Sequence, residues 1–147
     1  MIPKDSEPAG VADLARAEFG FPGPLRDRLV RSILSGEKTS TTSLKLEYEL
    51  EDEPLPRIGQ RSVLVDSQDE SAAVLEVIDV RIVALAQVDL THARDEGEGH
   101  RTVAEWRADH ERFFHSRQMR TALEIPDFTV NDATPVVLER FRVIERL

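Results

Sequence analysis

A chain of 147 residues, 40% hydrophobic and 32% charged, is long enough to bury a core without disulfides or metal, and one domain over residues 1–147 is expected. The absence of cysteine excludes a disulfide scaffold, an iron–sulfur centre and a thiolate zinc site. The net charge of −9 opposes tight binding to duplex DNA, which relies on many Lys and Arg contacts, and favours a small substrate.

No run approaches the ~20 apolar residues of a membrane helix. Residues 1–20 lack the basic start and apolar centre of a signal peptide, so a cytoplasmic protein without membrane association is expected. Residues 1–9, with Pro3, Asp5, Ser6, Glu7 and Pro8, read as a loose N-terminal segment. Val11, Leu14, Ala15 and Phe19 recur at helical spacing and predict a short first helix stopped by Gly20. After the turn Phe21-Pro22-Gly23, Pro24 opens a second helix at the position where its missing N–H costs nothing. Leu25, Leu29 and Ile33 form its apolar stripe, and Gly36 its stop. Thr39, Thr41 and Thr42 then favour extended backbone through β-branching.

Glu51-Asp52-Glu53-Pro54-Leu55-Pro56 is an acidic, proline-punctuated loop. Ser62 to Asp66 predicts a short strand and Ser67 to Glu70 a turn. Ala72 to Leu85 predicts one long or bent strand, with Ile78, Val80 and Ile82 alternating with Val77, Asp79 and Arg81. Thr91 to Arg101 reads as a loop. Thr102-Val103-Ala104-Glu105 matches a capping box, opening a helix whose buried stripe is Val103, Trp106, His110 and Phe113. Pro135 to Ile144 is a final strand. Strands and helices alternate too little for a doubly wound fold, so an α+β fold is expected: a small barrel or strongly curved sheet with two to four helices on its rim.

Two segments carry the chemistry. Gly36-Glu37-Lys38-Thr39-Ser40-Thr41-Thr42 sets a lysine and hydroxyls at a helix-to-strand junction, and Asp95-Glu96-Gly97-Glu98-Gly99 sets carboxylates on a glycine-rich loop. Gly36-Glu37-Lys38-Thr39-Ser40-Thr41 resembles the G-x-K-x-x-T signature of the ASCH domain family, which has a PUA-like fold. Glu96-Gly97-Glu98-Gly99, Trp106-Arg107, His110 and Phe113-Phe114 are similar to the pattern of one bacterial branch. Glu53-Pro54-Leu55-Pro56 with Gly59, and Val137 with Glu139-Arg140-Phe141-Arg142-Val143, extend the likeness over roughly residues 20–147. Ser43 stands where the family motif often has arginine, and His100 where the branch tends to have Asp.

The resemblance implies several functions. ASCH domains are regarded as RNA-related. Some small bacterial members deacetylate N(4)-acetylcytidine with a lysine, a threonine and a glutamate, which match Lys38, Thr41 and Glu96, the last within His92-Ala93-Arg94-Asp95-Glu96. Another bacterial member is a ribonuclease. The leading expectation is therefore a small hydrolase of a modified nucleoside. The alternative is an RNA- or nucleotide-binding module, with a basic patch from Arg26, Arg28 and Arg31 and with ribonuclease activity as a further option.

Amide hydrolysis needs a nucleophile, a proton carrier and oxyanion stabilisation. Thr41 as nucleophile, Lys38 as its base and Glu96 as proton shuttle or orienter of Lys38 is one assignment. Glu96 activating water while Lys38 polarises the acetyl oxygen is the other, and the residues alone do not separate them. Positions three apart on a regular strand face opposite ways, so Lys38 and Thr41 converge only if the chain turns between them. Glu98, Ser40 and Arg107 are expected to bind substrate. Trp106 and His110 fit core packing better than ligand contact. His92, His100 and His115 lack metal-site spacing, so neither a metal nor another cofactor is expected.

Overall fold

The computed structural model describes residues 13–147, and the expected loose segment 1–9 lies outside them. In chain order the elements are β1 (Ala15–Ala17), α1 (Pro24–Ser35), β2 (Ser40–Leu44), α2 (Lys45–Leu50), β3 (Arg61–Val65), β4 (Ser71–Ala84), α3 (Leu90–Asp95), α4 (Val103–Phe114), α5 (Arg117–Leu123) and β5 (Pro135–Arg146). The architecture is α+β: among the described residues, a five-stranded sheet in the order β1-β3-β4-β5-β2 with five α-helices around it, one more than the two to four expected. β1 runs parallel to β3 and the other pairs are antiparallel.

Among the described residues the sheet does not close into a complete barrel: β1 and β2 are its two edges and do not pair with each other. It curves instead. The long β4–β5 ladder shifts register between Val74 and Leu75, and again between Val77 and Asp79. Such bulges bend a strand pair and increase its twist. The bulge at Ile78 also breaks the expected alternation, and Ile78 and Ile82 lie exposed at 42% and 46%.

The expected first helix is a strand where it is described. Ala15, Arg16 and Ala17 pair with Ser62, Val63 and Leu64 of β3. An isolated short helix is marginal in water, whereas an open sheet edge offers ready backbone partners. α1 begins at Pro24 and ends at Gly36 in the left-handed conformation, as its sequence predicts. Its residues Val30 and Ile33 pack with Leu64, Ala73, Leu75 and Phe141 into one buried cluster. α4 is capped by Thr102 Oγ1, which accepts from Glu105 N. The Glu105 carboxylate accepts from Arg101 N rather than from the cap itself. Trp106 and Phe114 of α4 join Leu44, Val136, Leu138 and Met119 in the second buried cluster. Among the described residues, no helix is long and apolar enough to cross a membrane.

Candidate functional site

The two motif segments meet. The strap from Glu37 to Thr39, between α1 and β2, is held at both ends by backbone. Lys38 N donates to Ser32 O at 3.1 Å, and Thr39 N donates to Asp95 O at 2.8 Å. Arg140, opposite Ser40 in the ladder, donates to Asp95 Oδ2 at 2.5 Å and ties β5 to the end of α3. Gly97 closes the junction. A Cβ there would lie 2.5 Å from Glu37 O and 2.8 Å from Lys38 N, and its φ of +73 is a glycine conformation.

Lys38 precedes β2 on irregular backbone, and its side chain runs along the chain to the carbonyl of Ser40, on the cavity that Thr41 also lines. Its side chain is 1% exposed. The ammonium donates to Ser40 O at 2.9 Å and to Glu96 O at 3.4 Å, with Glu98 Oε2 at 3.9 Å. The Phe19 ring, 5.9 Å away, closes its remaining side. Arg26 holds that wall by donating to Phe19 O and Gly20 O at 3.3 and 2.7 Å.

α3 replaces part of the loop expected at 91–101. Asp89 caps it by accepting from His92 N at 2.9 Å, and its turn brings His92 and Glu96 onto one face. Glu96 is 1% exposed and its carboxylate is fully engaged. Thr42 donates to Oε2 at 2.5 Å, and His92 Nε2 lies 3.2 Å from Oε2 and 2.8 Å from Thr42 Oγ1. His110 Nε2 lies 3.0 Å from Oε1, and its Nδ1 lies 3.0 Å from Trp106 O. Both His110 ring nitrogens face acceptors, which selects the imidazolium form.

Burial alone would raise the Glu96 carboxyl. Hydrogen bonds from His110 and His92, with the charges of His110 and Lys38, outweigh it and hold the carboxyl well below the usual range. Burial would lower His110, but the hydrogen bond and charge of Glu96 raise it above its ordinary value. Glu98 behaves oppositely to Glu96: partial burial pushes it up, helped by the neighbouring Glu96 charge and opposed by Lys38.

These groups lie on a cavity of about 580 Å³ lined by both edge strands, β1 and β2, and by the ends of α2 and α4. That size suits a small ligand. Lys38, Thr41, Glu96, Glu98 and His110 all line it. Across the cavity, Tyr48 Oη lies 3.1 Å from Ser43 Oγ and donates to Glu139 Oε1 at 3.3 Å. Burial raises both the Tyr48 phenol and the Glu139 carboxyl. Carboxylates outnumber cations on the lining, and Arg16 is already paired with Asp69.

Glu96, Glu98 and His110 also each offer a ligand atom within 4.8 Å of the others, a set that could hold a metal ion. A cation there would have to displace the His110 proton and compete with the Lys38 ammonium.

Lys38 thus meets Glu96 and Glu98, at 3.4 and 3.9 Å, and Thr41 shares with them the lining of the cavity. Ser40 is fully buried, its carbonyl receiving Lys38 and its hydroxyl donating to His92 O at 3.2 Å, so it supports the site from behind. Arg107 stands apart, paired with Glu111 and Asp132 at 3.0 Å each and absent from the cavity lining. Arg26 is 4% exposed, which removes it from any basic patch with Arg28 and Arg31. Trp106 is fully buried, stacked on His110 at 4.1 Å. Thr42, His92 and His110 are site residues that the sequence did not reveal as such. Asp89 as a cap, followed by His92 and Glu96 four residues apart, is the signal that could have exposed two of the partners.

A curved α+β sheet with a lysine strap against a glutamate-bearing helix end defines a PUA-like domain. The chain belongs to the ASCH domain family, whose family model matches residues 16–145. Its structure is similar to a protein from Enterococcus faecalis V583, 27% identical with a TM-score of 0.76, covering 88% of this chain and 75% of that one. It is also similar to an ASCH domain from Lactobacillus crispatus JV V101, 25% identical with a TM-score of 0.77, covering 96% and 88% of the two chains. No curated protein matches it in sequence.

Proposed function

We propose that this protein is a small amidohydrolase of the cytoplasm that removes an acyl group from a modified nucleoside, with N(4)-acetylcytidine as the candidate substrate. The observation that carries the reading is the Lys38 ammonium, buried, held by two carbonyls and bordering the same cavity as the Thr41 hydroxyl. Held as a donor, Lys38 is suited to stabilise the oxyanion that forms when an amide carbonyl is attacked. Thr41 supplies the attacking hydroxyl. Glu96 orients: its carbonyl receives Lys38, and its carboxylate organises Thr42, His92 and His110. The excess of carboxylates on the lining favours an uncharged nucleoside over a nucleotide.

The test is mass-spectrometric detection of cytidine after incubation of purified protein with N(4)-acetylcytidine, beside Lys38→Ala. Release by the wild type and loss in the variant is the expected result. No release by the wild type would overturn the reading. The PUA-like fold supports a second reading, an RNA- or nucleotide-binding module with or without ribonuclease activity, although the net charge of −9 and the burial of Arg26 oppose it. It would show as salt-dependent affinity for a single-stranded RNA oligonucleotide.

A further inference from the structure

We propose that Glu98 is the proton carrier of this site, taking the proton of the attacking hydroxyl and returning it to the departing amine. The inference rests on the amidohydrolase reading and fills a role that Lys38, Thr41 and Glu96 leave unassigned.

Glu96 is poorly placed to move protons. Thr42, His92 and His110 already fill its two oxygens, and taking up a proton would set it against their donors. Glu98 differs. Gly97, with φ of +73, turns the chain between the two glutamates, and both carboxyls reach the cavity. The Glu98 side chain is 24% exposed and its Oε2 lies 3.9 Å from Lys38 Nζ, so a proton on Glu98 would sit beside the oxyanion donor.

Two carboxyls this close do not ionise alike. The one that receives more donors keeps its charge, and the other takes up a proton more readily. The opposite displacements of Glu96 and Glu98 follow that division. A carboxyl moved toward neutrality can accept and return a proton within one cycle.

The steps balance. As the Thr41 oxygen bonds to the acyl carbon, its proton passes to ionised Glu98, and the carbonyl oxygen becomes the oxyanion held by Lys38. As the C–N bond breaks, the proton passes from Glu98 to the amine nitrogen. Water then attacks the Thr41 ester, gives its proton to Glu98, and that proton returns to the Thr41 oxygen as the free acid departs. No further reactant is required.

The experiment compares wild type, Glu98→Gln and Glu98→Asp on N(4)-acetylcytidine and on 4-nitrophenyl acetate, whose leaving group needs no proton. Glu98→Gln is expected to lower kcat on the amide by about 10²–10⁴-fold at similar KM. It should cost less on the ester, which still needs the hydroxyl proton taken up but needs none returned to its leaving group, and abolish the acidic limb of the kcat–pH profile. Glu98→Asp should restore part of the amide rate and the limb. Equal losses on both substrates, an unchanged limb, or an undiminished amide rate would overturn the role of Glu98 while leaving the amidohydrolase standing. If the wild type cleaves neither compound, the amidohydrolase reading falls and this inference with it.

Discussion

The Lys38 ammonium rests 3.4 Å from the backbone carbonyl of Glu96, while the carboxylate of the same residue faces Thr42, His92 and His110. One residue therefore serves two functions through different atoms. Substitution of its side chain should leave the lysine's carbonyl contacts in place while disrupting the histidine network. Glu96→Gln leaves a buried imidazolium without its countercharge and should cost roughly 3–5 kcal/mol in denaturant unfolding. Lys38→Ala should lower kcat for amide cleavage by about 10²–10³-fold through loss of oxyanion stabilisation.

Gly97 and Gly99 both have positive φ, yet only one should be intolerant. A Cβ at Gly97 meets Glu37 O at 2.5 Å, whereas a Cβ at Gly99 meets nothing within 4 Å. Gly99→Ala should cost about 1–2 kcal/mol from backbone strain alone. Gly97→Ala should cost more and also displace the strap that carries Lys38. Thermal midpoints, with activity measured beside them, check the difference.

The His110–Glu96 pair sets a pH window for stability. Glu96 is depressed from 4.5, so its contribution is present above that value and lost as pH falls through the lower folded value. His110 is raised from 6.5, so its contribution is complete below 6.5 and lost as pH rises through the higher folded value. Stability from this pair should therefore be greatest between about pH 4.5 and 6.5 and decline on either side. Glu98, raised above 4.5, also loses its contribution as pH rises, and the Trp106 carbonyl facing His110 does not titrate. A His110→Gln variant should reduce the alkaline decline in thermal melts from pH 4 to pH 9, leaving the part due to the raised carboxyls of Glu98, Glu47 and Glu139.

The acid-rich lining should reject phosphate. N(4)-acetylcytidine 5′-monophosphate is expected to react with a kcat/KM at least roughly tenfold below that of the nucleoside, about 1.4 kcal/mol. The gap should narrow as salt is added, because screening weakens the repulsion. Competition between the two compounds in one reaction measures it directly.

Elements specified by local rules were legible in the sequence. α1 is bounded by Pro24 and Gly36, and Thr102 fixes the start of α4. Elements of six or seven residues, α2, α3 and α5, leave no clear mark in the sequence, since so few turns carry little periodicity of their own. The spacing around residues 15–17 predicts a helix because it says nothing about the free edge of β3 that claims them.

Within the site, the lysine strap and the glutamate loop are legible in the residues alone because each is a run of neighbours, and the acidic balance because it is a matter of composition. Tertiary pairing alone sets Thr42 rather than Thr41 on the Glu96 carboxylate, places His110 between that carboxylate and the Trp106 carbonyl, and turns Arg107 to Glu111 and Asp132. Those outcomes depend on pairings from Thr42 to Glu96 and from Glu96 to His110, made across separate elements. A side chain's partner there is set by how the sheet bends and where helix ends land, and no local pattern encodes that.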